Sequence, residues 1–483
     1  MRYQSTRNSE IRITSADAML QGLARDGGLF LPRILPSLSP EVYHTTDYRR
    51  LATLILHPWF DDFTVEEIEM CVNQAYDSTF DTKTIVPIVP VGNRYVAELF
   101  HGPTAAFKDV ALSLFPRLLV LAKEKSNIQK DLIVLVATSG DTGSAALTGF
   151  KDIEHLTILT FYPNVGISEI QRLQMTTQDG KNQKVAAIQG NFDDAQGAVK
   201  KFLGERSEDP NFLYSSANSI NIGRLLPQIV YYVHAYNQLV ENKTIEVGQP
   251  IDFCVPTGNF GNIFAGYLAK RMGLPIGKLI CASNQNHILT DVLKTGIYDR
   301  NRQFHATLSP SMDILVSSNL ERLLWLLSDG DSDLIVRLMH DLKTYGRFVL
   351  PKSIHEKLSE TISAGYTSDE MTLRTIEEVY ANHRYLLDPH SAVAWSVANP
   401  YQSDRPMVIL ATASPFKFPA SIARAMNWTI EPDLRLITTI SEITGLTIPK
   451  SLSELSKKPV LHHDIVAIDA VDRYIRRCVR ENV

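Results

Sequence analysis

What most constrains this chain is a series of short apolar runs, each about the length of one buried strand. Residues 132–137, 156–161, 184–189, 251–255, 278–282 and 407–411 all read this way. Helical periodicity separates them, as in the stretches Ile167 to Leu173 and Leu225 to Val230. Such alternation predicts parallel sheets covered by helices, an α/β architecture. Residues from about 313 to 384 read as helical throughout, with Asp/Ser breaks between Ser328 and Asp333. A chain of 483 residues is too long for one core, and about three structural units are expected.

Two of the strand runs end in glycine-rich loops that open helices. After 132–137 comes Thr138-Ser139-Gly140-Asp141-Thr142-Gly143, where small hydroxyl residues and glycines bring backbone N–H groups together at a helix start. That is an anion site for a phosphate or a carboxylate. A plain β–α turn with hydroxyl caps is the alternative. After 251–255 comes Pro256-Thr257-Gly258-Asn259-Phe260-Gly261-Asn262. This is neither a Walker A loop nor a dinucleotide fingerprint, and a phosphate monoester suits it. A third strand end carries Thr412, at the sheet edge where open α/β folds bind ligands.

The segment His101-Gly102-Pro103-Thr104-Ala105-Ala106-Phe107-Lys108-Asp109 places one lysine at the entrance of an apolar helix. A lysine there loses part of its water shell, which favours the neutral amine that condenses with aldehydes. A surface lysine opening a core helix is the alternative.

Composition excludes some functions. A net charge of −5 without basic tracts argues against nucleic acid as a partner. Cys71, Cys254, Cys281 and Cys478 are widely spaced and form no C-x-x-C pair, so they read as reduced thiols. No apolar run is long enough for a membrane span, and the N-terminus does not read as a secretion signal. The pair His462-His463, with Asp464 alone nearby, reads as a polar loop and not as a metal site.

The lysine segment, both glycine loops, Asn218-Ser219-Ile220-Asn221-Ile222-Gly223-Arg224 and Pro310-Ser311-Met312-Asp313-Ile314 resemble the threonine synthase family. So do Tyr3-Gln4-Ser5-Thr6-Arg7 and Asp26 to Pro32 near the N-terminus. These are pyridoxal-phosphate enzymes of the tryptophan-synthase-β type. The resemblance implies two open, mainly parallel sheets flanked by helices, with an N-terminal extension. It places a mainly helical extension at 1–95 and a catalytic α/β region with the site between two sub-domains at 96–400. Residues 401–483 would complete the large domain, with the Thr412 strand end and a terminal helix. Lys108 would carry the cofactor pyridoxal 5′-phosphate as an imine and act as catalytic base. Asp141, Gly258, Asn259, Phe260, Gly261, Asn262 and Thr412 would bind the cofactor.

The substrate implied is O-phospho-L-homoserine. Ser139, Thr142 and Gly143 would hold one of its anionic groups, and Asn218, Ser219, Asn221 and Arg224 the other. The expected product is L-threonine, formed in the cytoplasm without a metal; monomer and homodimer both stay open. A phospho-lyase releasing 2-oxobutyrate, or a binding protein without catalysis, are the alternatives. Ser414 stands where many family members carry a histidine, so no acid–base role is expected there.

Overall fold

A computed structural model describes residues 1–164, 166–205 and 209–481. Two sheets carry the architecture. The larger has six strands in the order Ser363–Tyr366, Ile276–Ser283, Ile251–Pro256, Met407–Ala411, Arg94–Glu98 and Ile88–Val91. All neighbours in it are parallel except the last pair, an antiparallel hairpin. The smaller has five parallel strands, ordered Asp464–Ala467, Gln183–Gln189, Leu156–Pro163, Asp131–Ala137 and Phe212–Ser216. Their central strands are buried along nearly their whole length, because helices cover both faces. The apolar runs of the sequence therefore appear as strands, within two residues at each end.

Several expectations need correction. The first 95 residues are helix-rich, but they also carry a sheet that was not expected. They open with a three-stranded antiparallel sheet, Tyr3–Ser5, Asn8–Ile13 and Phe30–Pro32, before the helices Tyr48–Leu56 and Val65–Ala75. Strands of three residues are too short for alternation to reveal them. The boundary at 95 also falls inside the strand Arg94–Glu98, which belongs to the large sheet.

The C-terminal part completes both sheets, since Met407–Ala411 sits within the six-stranded one and Asp464–Ala467 edges the five-stranded one. Parallel pairing is selected by burial and crossover handedness, so sequence neighbourhood does not mark the units. The stretch 313–384 contains two strands, Arg347–Val349 and Ser363–Tyr366, among its helices. Ser363–Tyr366 is short, has no apolar run and extends because it pairs with Ile276–Ser283.

All four cysteines are buried and unbridged. Among the described residues, no helix is long and apolar enough to cross a membrane. No group of three His, Cys, Asp or Glu among them could hold a metal ion, and His462 Nε2 instead lies 3.0 Å from the Gln178 carbonyl.

Candidate active site

The two sheets aim their carboxyl ends at one narrow cleft, where open α/β sheets bind ligands. Lys108 starts the helix Lys108–Lys125 after Arg94–Glu98. Ser139 and Thr142 follow Asp131–Ala137, and Ser219 and Arg224 follow Phe212–Ser216. Gly258 to Asn262 follow Ile251–Pro256, and Thr412 follows Met407–Ala411. All of these residues line the cleft, together with Phe107, Ser311, Met312 and His390. Its free volume is about 70 Å³, so a drug-sized ligand enters only if lining side chains swing aside. A larger cavity of about 620 Å³ lies elsewhere, beneath the N-terminal loop around Gly27, and contains none of these groups.

Lys108 is almost fully buried, with Nζ 3.2 Å from Ser311 Oγ and 3.5 Å from Asp141 Oδ2. Removal of water from the ammonium is the main influence on its proton. Asp141 opposes that loss, Arg224 and Lys417 reinforce it, and the pKa falls to about 8. Asp141 is equally enclosed. Burial disfavours its charge, but Lys417, Lys108 and the Gln171 amide outweigh that and hold the carboxyl far below the usual range. The Asp141 side chain lies beneath Lys108 and is not part of the cleft wall.

The loop Gly258 to Asn262 is turned inside out by its neighbours. Ser317 Oγ donates to the Gly258 carbonyl at 2.8 Å, and Asn319 N–H and Nδ2 donate to the Asn259 carbonyl at 3.2 and 3.0 Å. With those carbonyls tied outward, Phe260 takes a left-handed conformation (φ 65°) and launches the helix Gly261–Arg271. The first N–H groups of that helix have no intrahelical partner. A Cβ on Gly258 would lie 2.5 Å from the Ser311 carbonyl, so only glycine lets the two walls meet. Tyr231 and Tyr232 hydroxyls donate to Asn262 Oδ1 at 2.6 and 2.9 Å. This leaves Asn262 Nδ2, buried and without a hydrogen-bond partner, for a ligand.

Arg224 is 4 % exposed. It donates to the Ala217 carbonyl at 2.9 Å and to Thr142 Oγ1 at 3.4 Å, and burial pushes its pKa down to about 10. No carboxylate among the described residues pairs with it. A buried guanidinium without an anion is suited to receiving one.

Several predicted residues play other parts. Asn218 faces the cleft, yet its amide is occupied. Oδ1 accepts the Ala137 N–H at 3.0 Å and Nδ2 donates to the Ala137 carbonyl at 2.6 Å. Asn221 is fully buried away from the cleft wall. It caps Gly223 N–H at 2.9 Å and donates to the Met19 and Ser216 carbonyls at 2.8 and 3.0 Å, so it anchors the N-terminal extension. Gly143 packs where a Cβ would come within 2.4 Å of Met175 Sδ and does not line the cleft. Asn218 keeps its place on the cleft wall, while Asn221 and Gly143 are corrections to the expected ligand set, because their polar groups already have protein partners or face the core. Ser414 N–H donates to the Ala105 carbonyl at 3.0 Å and splices the Thr412 strand end to the lysine turn.

Sequence reasoning missed His390, Ser311, Gln171 and Lys417 as site residues. His390 Nε2 accepts the Ser311 N–H at 3.2 Å, so the ring proton is on Nδ1, facing Asp388 Oδ1 at 2.8 Å. This pair fixes Ser311 against Lys108. Ser311 lies in a motif used for the resemblance, and Lys417 lies five residues after Thr412. Nothing in the local sequence marks His390 or Gln171.

Family models described as "Threonine synthase N terminus" and "Threonine synthase, C-terminal" match residues 2–76 and 391–475. Human threonine synthase-like 1 is 40% identical over 85% of the chain, which spans only 58% of that relative's length. The threonine synthase of Pseudomonas aeruginosa is 39% identical, with 88% of this chain and 90% of that protein covered. Among solved structures, the PLP-bound threonine synthase of Brucella melitensis superposes with a TM-score of 0.87 at 38% identity, covering 99% and 100% of the two chains. Threonine synthase from yeast gives 0.86 at 33%, covering 99% of each.

Proposed function

Because the chain belongs to the threonine synthase family, we propose that it is a PLP-dependent lyase converting O-phospho-L-homoserine and water to L-threonine and phosphate. The observation that carries this reading is Arg224, a buried guanidinium with no carboxylate partner among the described residues, in the wall that also contains Lys108. A reaction that handles two anions, one on the cofactor and one on the substrate, needs two cradles in one cleft.

The residues present fit pyridoxal 5′-phosphate. Asn262 Nδ2 is an orphaned buried donor beside unpaired helix N–H groups, and Gly258 keeps the loop open to a phosphate. Lys108 would hold the aldehyde carbon, and Thr412 would meet the ring nitrogen. When bound, the cofactor supplies an electron sink that acidifies the substrate's α-carbon.

Lys108 Nζ, with its pKa near 8, would take the α-proton and return it where the carbon chain is rebuilt. Ser311 Oγ, at 3.2 Å, would guide that amine as it moves. Arg224, with Thr142 and Ser219, would bind the substrate phosphate, and Arg224 would keep the departing ion beside the β-carbon. Ser139, at a helix entrance, would take the carboxylate. Thr412 offers a hydroxyl, which does not force a proton onto the ring nitrogen as a carboxylate would. The narrowness of the cleft would exclude bulk water, leaving room for the one molecule that adds at the β-carbon. Four buried, unbridged cysteines support a reducing compartment such as the cytoplasm.

The competing reading is a phospho-lyase, and the human relative named only threonine synthase-like 1 is the observation on its side. Incubation with O-phospho-L-homoserine decides between them. Threonine and phosphate are expected in near-equal amounts, with 2-oxobutyrate as a small leak. A preponderance of 2-oxobutyrate overturns the synthase reading, and absence of any product overturns catalysis on this substrate.

A further inference from the structure

The two oxygens of Asp141 have unequal company. Oδ1 accepts from Gln171 Nε2 at 2.8 Å and lies 2.9 Å from Lys417 Nζ. Among the described residues, Oδ2 meets only Ser311 Oγ at 3.3 Å and Lys108 Nζ at 3.5 Å. Lys417 has no exposed surface at all. It ends the short turn Pro415–Lys417 just after Thr412, and its Nζ also donates at 2.9 Å to the Thr104 carbonyl. Gln174 Nε2 donates to that same carbonyl at 3.0 Å. A second fully enclosed ammonium is costly unless its charge is used.

We propose that Lys417 is a positioning residue for Lys108: by occupying Asp141 Oδ1, it prevents a tight Lys108–Asp141 pair and leaves the reactive amine a long contact that it can leave. The inference rests on the family reading of Lys108 as the cofactor-bearing lysine. Alone with Asp141, Lys108 would be drawn to about 2.8 Å, the distance of a charge-assisted pair. There it would hold both its proton and its place. With Lys417 present the carboxylate is already satisfied, so Asp141 steadies the cluster without capturing the nucleophile.

The other charges around the pair are few. Arg224, from Ile222–Leu225, repels a proton on Lys108 in the same sense as Lys417. His390, from Pro389–Val397, faces Ser311 with its unprotonated nitrogen. Asp109 lies below Thr104, accepting its N–H at 2.8 Å and its hydroxyl at 2.6 Å, and is the second acid that Lys417 faces. Of the groups acting on Lys108, Asp141 attracts its proton, while Arg224 and Lys417 repel it.

The test uses cofactor-loaded protein in four forms: parent, K417M, K417R and D141N. A pH titration of the visible absorbance reads the proton on Lys108 Nζ. The rate at which Lys108 is carbamylated by cyanate in cofactor-stripped protein gives a second readout independent of turnover. Both midpoints are expected to rise in K417M by roughly one pH unit or more, and to return to the parent value in K417R. If K417M does not fold, D141N answers the question from the other side. There Lys417 and Arg224 repel unopposed, and the midpoint is expected to fall by about one pH unit. An unmoved midpoint in K417M, or in D141N where K417M does not fold, overturns the proposal. Borohydride reduction separates this from failure of the family reading. A reducible adduct on Lys108 with an unmoved midpoint removes the role of Lys417 only, whereas no adduct on Lys108 removes the premise.

Discussion

Arg224 and Arg322 are both buried and both donate to carbonyls of the loop that follows Phe212–Ser216, yet their donors lead different lives. Arg322 donates to the Phe30 carbonyl at 3.1 Å, to the Ile220 carbonyl at 2.5 Å, to the Ser219 carbonyl at 3.5 Å and to Asn319 Oδ1. It staples the N-terminal sheet to the body. Nearby, Thr6 Oγ1 and the Arg7 fork converge on Glu321, at 2.6, 2.9 and 2.7 Å. In this seam the charges are paired with one another. Arg224, by contrast, has one good protein acceptor and opens on a cleft. Burial alone does not mark a functional cation; incomplete pairing inside a cavity does.

The contrast predicts that changes in the cleft alter kinetics, while changes in the seam alter stability. The largest effect is expected from Lys108→Ala, which should reduce turnover by roughly four orders of magnitude or more, since it removes both covalent anchor and proton carrier. Its melting temperature should stay close to that of the parent, because the lost ammonium was poorly paired. Turnover measurement with a thermal melt checks both halves, and a parent-like rate breaks the assignment.

Next comes Arg322→Ala, expected to cost roughly 3 kcal/mol of stability by stranding several buried carbonyls. The KM of the protein that still folds should be near the parent's. Denaturant unfolding reads the first quantity, and a large KM change would dissolve the distinction between seam and cleft.

Arg224→Ala should do the reverse, raising KM about thirty-fold through loss of one charge-assisted contact to a substrate anion. It should also enlarge the 2-oxobutyrate fraction while barely moving the melt. Steady-state kinetics with product analysis would expose a purely structural Arg224 as an unchanged KM.

Two pH dependences sharpen the picture further. Capture of pyridoxal phosphate by the cofactor-free protein should accelerate as pH rises, with a midpoint near 8 where Lys108 loses its proton. A midpoint at an ordinary lysine value would mean that the cleft does not desolvate this amine.

The smallest effect belongs to the frame just upstream. Burial opposes the charged form of His101, but Asp81 and Glu98, at 2.5 and 2.8 Å, outweigh it and hold the pKa up at about 9. A raised pKa stabilises the fold fully below the unfolded value of 6.5 and loses that contribution as pH climbs through 9. Since Asp81 is more than half exposed, the screened contribution is about 1 kcal/mol. His101→Gln should therefore lower stability in mildly acidic buffer, converge with the parent in alkaline buffer, and leave KM alone.

Much of this molecule could be read from its chain because much of it is governed locally. The central strands are uniformly apolar, and an apolar run of that length has one economical fate, the interior of a covered sheet. Gly258 and Gly140 were legible for a similar reason. A left-handed turn (φ 132° at Gly140) or a close wall (at Gly258) admits no side chain. Even the position of Lys108 at a helix entrance follows from the Gly-Pro-Thr turn before it.

The allocation of hydrogen bonds was not legible. Asn218 and Asn221 belong to one motif and have the same side chain, yet one completes a strand edge and the other anchors the N-terminal extension at Met19. Lys417 carries no local mark of a role and proves to be a counter-ion of Asp141. What the sequence by itself determined is the set of strands, the conformation of the loops between them and the chemistry available at their ends. Only the tertiary structure decided which of those polar groups remain unsatisfied at the cleft. A donor's partner depends on residues distant in the chain, brought close by the packing of two sheets whose strands are not in chain order. Local propensity carries no information about that pairing, since burial and the need to satisfy every enclosed polar group select it only once the core is assembled.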